Sequence, residues 1–317
     1  MLRFRALLLL ASIFVFSTFA CAEDKKQRLL LVTHSGGFIH DSVGLAEDIL
    51  KELGPKKGYE VTCWRFTGDP DAMVKMKVKD GDKIIEKEVP ALEKYSTEFR
   101  ARTGKAVEKE NCGRINAQTL KDFDVVLFFT TGSGPKKGNI GVMTEDELKD
   151  FTAWVKAGGA FAGTHCASDT MYDSSYGELI GGYFKTHPPG LQDIVVKVED
   201  PKHPAATGLT DGLKYKDEIY VFTDAPYSRE KLHIILSASE FFPMRKDKEG
   251  NVTDLRADKD YAISWCREEG KGKVFYTALG HDKKVWEDEK FQAHLFGGLA
   301  WATNQAEGDA SPTGKKK

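Results

Sequence analysis

The sequence predicts an α/β protein on a doubly wound, mostly parallel sheet, and three observations carry that expectation. Unbroken apolar runs, Leu29–Val32 and Asp124–Thr130, suit strands buried on both faces rather than one. Amphipathic helical stretches follow them, so that strand, helix, strand recur in order. Polar, glycine-rich loops leave the strand ends, and ligands of such folds gather outside the carboxyl edge of the sheet. Right-handed crossovers would place helices on both faces.

The elements justify themselves in turn. Arg3 and Arg5 precede an apolar run, Ala6–Phe16, and Ala20-Cys21-Ala22 offers small residues for cleavage, so residues 1–22 read as a secretory signal peptide. The run is short for a membrane span. Cys21 keeps open a second reading, acylation as a lipoprotein, although Ser17–Ala20 lacks the usual leucine three residues before the cysteine. Export to the periplasm or beyond is the expectation either way. The first strand ends in Thr33–Gly37, and Asp41-Ser42 can cap a helix whose inner face carries Val43, Leu45, Ala46, Ile49 and Leu50. Gly54-Pro55 stops it, and Tyr59–Phe66 alternates as a second strand.

Residues 67–121 interrupt this rhythm as a charged insertion. Val74–Val78 and Ile84–Val89 flank Asp80-Gly81, a hairpin signal, and a short helix is expected near 91–103, the whole read as a solvated decoration. The core pattern resumes at 124–130. Thr144 and Glu147 form a capping-box pattern ahead of Leu148, Phe151, Trp154 and Val155. A strand through Ala160–Gly163 ends at Thr164-His165-Cys166, and further strands are expected at 193–198, 218–223, 232–238, 261–266 and 273–278. The last helix spans 289–303. One domain is therefore expected over 28–303, with a disordered polar tail at 304–317.

Composition narrows the function classes. The chain has 317 residues, 46 Lys+Arg against 48 Asp+Glu, and a net charge of −2. This does not suit a nucleic-acid binder, which is normally basic, and no transmembrane segment follows the leader. Four cysteines beyond Cys21, namely Cys63, Cys112, Cys166 and Cys266, permit two disulfides in an exported protein. The absence of C-x-x-C argues against zinc ribbons and thioredoxin-like sites.

Chemistry-bearing residues fall at predicted strand ends. His34, His40 and Asp41 follow the first strand, His165 and Asp169 the fourth, and His281 the strand 273–278. Parallel strands deliver their carboxyl ends to one edge, so His34 or His40, His165 and His281 should share a cleft. His187 should reach it from a loop fixed by Pro188-Pro189, and Glu218 should line it. His203 reads as a turn residue, and His233 and His294 as packing residues outside the site. Gly163-Thr164-His165-Cys166-Ala167 has the spacing of a sharp elbow that lifts its central side chain above the sheet. His165 takes the elbow position, leaving Cys166 beside it as a buried structural thiol.

With these motifs together, Thr33–Asp41, Gly158–Asp169, Asp217–Tyr220, Gly272–His281 and the closing Trp286–Trp301, the chain resembles the ThuA-like (trehalose-utilisation) family. That family is a branch of the class I glutamine-amidotransferase-like fold. The resemblance implies a flavodoxin-like sheet and a role in catabolism of disaccharides or keto-sugars. It does not imply amidotransfer, because a histidine replaces the elbow cysteine and no His-x-Glu follows.

The leading expectation is an exported enzyme acting on a small carbohydrate, a glycoside or keto-sugar. His165, Asp169 and Glu218 would be acid–base groups, and His34, His40, Asp41, His187 and His281 would bind substrate. His40, His165 and His281 are also candidate ligands of a divalent metal such as zinc. Two other readings stand beside it: a non-catalytic sugar-binding or scaffold module, and a hydrolase using Cys166.

Overall fold

In a computed structural model, which describes residues 25–81, 83–132, 141–239, 244–246 and 252–314, the central apolar runs stack into one nine-stranded sheet. The strands are β1 (Gln27–Val32), β2 (Tyr59–Trp64), β3 (Met73–Asp80), β4 (Lys83–Pro90), β5 (Val125–Phe128), β6 (Ala160–Thr164), β7 (Phe184–Thr186), β8 (Gln192–Val198), β9 (Lys214–Asp217), β10 (Val221–Phe222), β11 (His233–Ala238), β12 (Met244–Lys246), β13 (Val252–Asp254), β14 (Ala262–Glu269) and β15 (Gly272–Thr277). The large sheet runs β2-β1-β5-β6-β15-β14-β11-β8-β9. The first five strands in that order are parallel. The last four are antiparallel, each to its neighbour. The doubly wound half thus continues into an antiparallel wing. The proposed signal peptide and the loop residues 133–135 lie outside the described residues.

The inner parallel strands are buried on both faces over Leu29–Val32 of β1 and all of β5 and β6, as their unbroken apolar sequences require, whereas the edge strand β2 is partly exposed. Helices cover both faces: α1 (Val43–Leu53), α2 (Ala91–Thr103), α3 (Glu145–Lys156), α4 (Tyr176–Ile180), α5 (Lys283–Glu287) and α6 (Glu289–Ala302). Phe128, Phe151, Phe161 and Tyr176 interlock on the face of α3 and α4. Phe275, of opposite parity, meets His294 of α6 on the other. Thr144 caps α3 through the reciprocal Glu147 bonds that the sequence pattern predicts.

Four expectations need correction. First, the insertion is only half a decoration. Its ribbon, β3 with β4, is solvent-exposed along most of its length. Helix α2, however, buries Ala91, Tyr95 and Phe99, and the Tyr95 hydroxyl accepts the backbone N–H of Ser35 at 2.8 Å. Its apolar positions are four residues apart, and that stripe outweighs the surrounding charge. Second, residues 218–223 do not form one strand. The ladder breaks between β9 and β10, and Glu218–Tyr220 lie between them. Third, residues 305–314 of the tail pack on the antiparallel wing. Thr313 N–H donates to Leu232 O, Gly314 N–H to Arg229 O, and the Thr313 hydroxyl accepts the Ile234 N–H. Backbone groups find partners there that a polar composition does not announce. Fourth, Cys63, Cys112, Cys166 and Cys266 are all free thiols.

Candidate functional site

The end of β6 sets the site. Gly163 leaves room where a Cβ would meet Ala167 Cβ at 2.9 Å and Ile180 Cδ1 at 3.0 Å. The chain then turns sharply, placing His165 at φ +44°, a region an L side chain enters at a cost of order 1 kcal/mol or more. The ring is fully buried. Its Nδ1 lies 3.0 Å from Ala278 O. A carbonyl only accepts, so Nδ1 carries the proton and Nε2 presents a bare lone pair.

Three further ligand atoms surround that lone pair. His40 Nε2 lies 3.2 Å from it, His281 Nδ1 3.2 Å and Glu218 Oε2 3.5 Å. His281 Nδ1 and Glu218 Oε2 are themselves 3.2 Å apart. All four atoms lie within 4.8 Å of one another. Four ligand atoms at the corners of a tetrahedron with bonds of about 2.1 Å are separated by about 3.4 Å. The donor set of three imidazoles and one carboxylate suits zinc or a neighbouring transition metal. A hydrogen-bond network alone would bring both His40 and His281 onto a single His165 lone pair, so these residues fit a divalent cation.

The electrostatics follow the same crowding. Burial, with the neighbouring imidazoles, drives His40 well below the usual histidine range. Burial would raise Glu218, but its close approach to the His165 and His281 imidazoles prevails and holds its carboxyl far below the usual range. Burial would lower His281, but Glu218 outweighs it and raises the ring. The His40 Nδ1 is buried with no hydrogen-bond partner among the described residues.

Supporting residues complete the arrangement. Asp217 is fully buried, and its carboxylate accepts the N–H of Gly280 at 2.7 Å and of Asp282 at 2.9 Å, clamping the loop that carries His281. Gly280 adopts φ +115°, which that turn needs. Tyr220 packs its ring 4.3 Å from His165. His187 Nδ1 lies 2.7 Å from Pro188 O and 3.1 Å from Glu218 Oε1. The Pro188 carbonyl fixes the proton on Nδ1, and Nε2 is left bare.

The expected residues therefore divide. The fold brings His40, His165, His281, Glu218 and His187 together. Asp169 lies within electrostatic reach of His165, Glu218 and His187, accepts the Tyr172 hydroxyl at 2.6 Å, and is raised by burial. Asp41 is exposed at the rim and pairs with Lys283 at 2.9 Å. His34 does not join the cluster. Its ring is fully buried against Phe66 and Tyr95, with Nδ1 on Thr67, because α2 closes over the start of the first loop. His203, His233 and His294 make their own contacts elsewhere. Cys166 is fully buried, and burial pushes its thiol well up, which leaves a thiol rather than a thiolate nucleophile. Sequence reasoning missed Asp217 and Tyr220 as supports. The adjacency of two acids in Asp217-Glu218 was the available signal.

Comparison with known proteins agrees with this architecture. Residues 28–302 match the family model ThuA, described as trehalose utilisation. A search of the curated proteins gives no match. Among solved structures, the chain is similar to a putative ThuA-like protein from Bacteroides uniformis, at 17% identity and TM-score 0.58, covering 89% of this chain and 93% of that one. It is also similar to one from Parabacteroides merdae, at 16% identity and TM-score 0.55, covering 92% and 93%. At those identities the structures speak for the fold. The family match spans almost the whole described chain, from the first strand through the last helix, and the chain belongs to the ThuA, or trehalose-utilisation, family.

Proposed function

We propose that this protein is an exported, metal-dependent enzyme acting on a small carbohydrate, with His40, His165, His281 and Glu218 holding a zinc-class cation. The observation that carries the reading is the convergence of those four ligand atoms on one point. The family's description supplies the carbohydrate. The two arginines, apolar run and small residues of segment 1–22 support export. A bound cation supplies Lewis acidity to a sugar hydroxyl or carbonyl oxygen and favours ionised water.

The chain's own residues then have separate duties. His165, locked on Ala278 O, orients rather than carries protons. Glu218 faces His165 and His281 with Oε2 and His187 with Oε1. His187, whose side chain is partly open to solvent, offers its bare Nε2 as a general base to a sugar hydroxyl. Asp169, raised by burial, is suited to return a proton to a leaving oxygen.

The test is calorimetric titration of zinc into chelator-treated protein, with activity scored on disaccharides and their keto forms. One zinc per chain is expected, lost in His281→Ala, with catalysis abolished by chelation and restored by metal. His187→Gln should keep zinc and lose turnover by about 100-fold or more. Full turnover by the metal-free protein would overturn the reading.

A further inference from the structure

Phe38 is an anomaly in the first loop. It is one of few large apolar side chains among the described residues left exposed, at 52%, and the others, Met73, Ile84 and Ile85, sit on the insertion ribbon. Exposing a phenylalanine forgoes about 2 kcal/mol of burial, and this one stands beside the cluster. Its ring lies 4.9 Å from that of His40, nearly perpendicular at 79°. The Arg102 guanidinium stands 4.6 Å over the Phe38 ring and is close enough to bear on the charge of His40. Arg102 comes from the last turn of α2, so the charged insertion supplies one wall of the site. The backbone holds the platform in place: Phe38 O accepts the Thr131 hydroxyl at 2.8 Å. Arg102 itself makes no side-chain hydrogen bond or ion pair with another described residue, although a guanidinium has five N–H donors.

We infer that Phe38 and Arg102 form a sugar-ring subsite next to the metal centre, a place for the second ring of a two-ring glycoside. This rests on the proposed function and adds its specificity-determining residues. A pyranose ring has an apolar C–H face that packs on an aromatic ring and a rim of hydroxyls that accept N–H donors. The open part of Phe38 supplies the first surface and Arg102 the second. The stack on Arg102 holds the phenyl ring in position before the sugar arrives, which lowers the ordering cost of binding. A single-ring sugar seated at the cluster would leave this subsite empty.

The test compares trehalose with glucose by calorimetry on the zinc-loaded full chain, using wild type, Phe38→Ala, Phe38→Trp and Arg102→Met. Zinc affinity is read separately in each. The expected result is a weakening of trehalose binding by about 5- to 10-fold in Phe38→Ala, the range for loss of an aromatic stack, and a smaller loss in Arg102→Met. Phe38→Trp should retain trehalose affinity, and glucose and zinc affinities should stay unchanged throughout. Equal weakening of glucose and trehalose, an unchanged trehalose affinity in Phe38→Ala, or a wild type that takes zinc but neither sugar would each overturn the subsite while leaving the metal centre standing. Absence of zinc binding in wild type, with trehalose affinity still falling in Phe38→Ala, would overturn the metal reading and keep the subsite.

Discussion

Asp217 and Glu218 are neighbours in sequence with opposite surroundings. Asp217, at the end of β9, is enclosed and satisfied by two backbone N–H groups. Glu218 leaves the ladder and turns its carboxylate to three imidazoles. Glu218→Gln removes a ligand charge and should cut zinc affinity by more than about 100-fold. Asp217→Asn acts only through the His281 loop and should cost about 10- to 100-fold, the range for an outer-shell partner. Competition with a chromogenic chelator measures both, and equal losses would refute the division. Buried rings away from the site set the acid limit. Burial lowers His34 to about 3 and His294 to about 4. Both are neutral when folded, whereas the unfolded rings take protons near pH 6.5. Below that pH the unfolded state binds more protons, so stability falls as pH drops from about 6.5 toward about 4. The slope is of order 1.4 kcal/mol per pH unit for each ring. Urea midpoints in chelator should therefore decline between about pH 7 and pH 5, and a flat profile would contradict the neutral rings.

At the scale of elements, the insertion holds two kinds of structure. Helix α2 has Phe99 fully buried and Tyr95 nearly so, and the Tyr95 ring, backed by Phe99, walls in His34. The ribbon of β3 and β4 has Ile84 exposed at 74%. Phe99→Ala should destabilise by about 3–5 kcal/mol, and Ile84→Thr should stay within about 0.5 kcal/mol, both measured by urea unfolding. A severe effect at Ile84 would mean that the ribbon packs on something in solution. The same view explains Arg102, which is exposed on a helix whose other face is core, and so stands at the site with its donors unspent.

At the scale of the whole molecule, the chain end closes the antiparallel wing. Trp301 Nε1 donates to Gly308 O at 3.1 Å, His233 Nδ1 to Ser311 O at 2.8 Å, and the Cys266 thiol lies 3.6 Å from Asp309 O. Deleting residues 305–317 uncovers β11 and Cys266 together. The truncated protein should gain one thiol reactive to a disulfide reagent without denaturant, and its Tm should fall by about 5 °C. Unchanged thiol reactivity would show that the wing buries Cys266 by itself. Zinc should still bind, because His40, His165 and His281 stand at the carboxyl ends of parallel strands, and Glu218, which follows β9, turns to those rings rather than to the tail.

Local pattern determined much of this protein. The unbroken apolar runs of β1, β5 and β6 state that both faces are covered, because a strand with one wet face must alternate. Parallel order then sends their carboxyl ends to one edge, which is why His40, His165 and His281 could be grouped before any geometry was known. Tertiary structure decided what pattern cannot carry. Whether His34 or His40 enters the cluster depends on α2 closing over the loop from 60 residues away in sequence, where Tyr95 meets Ser35. The place of Glu218 depends on β9 ending at Asp217, so that Glu218 lies outside any ladder although 218–223 reads as one strand, and the tail is ordered by backbone bonds that any polar sequence could make. The exposed Phe38 reads in sequence as an ordinary apolar residue. Burial and ligand geometry arise from contacts between distant segments, and those distances are set by packing rather than by neighbours in the chain.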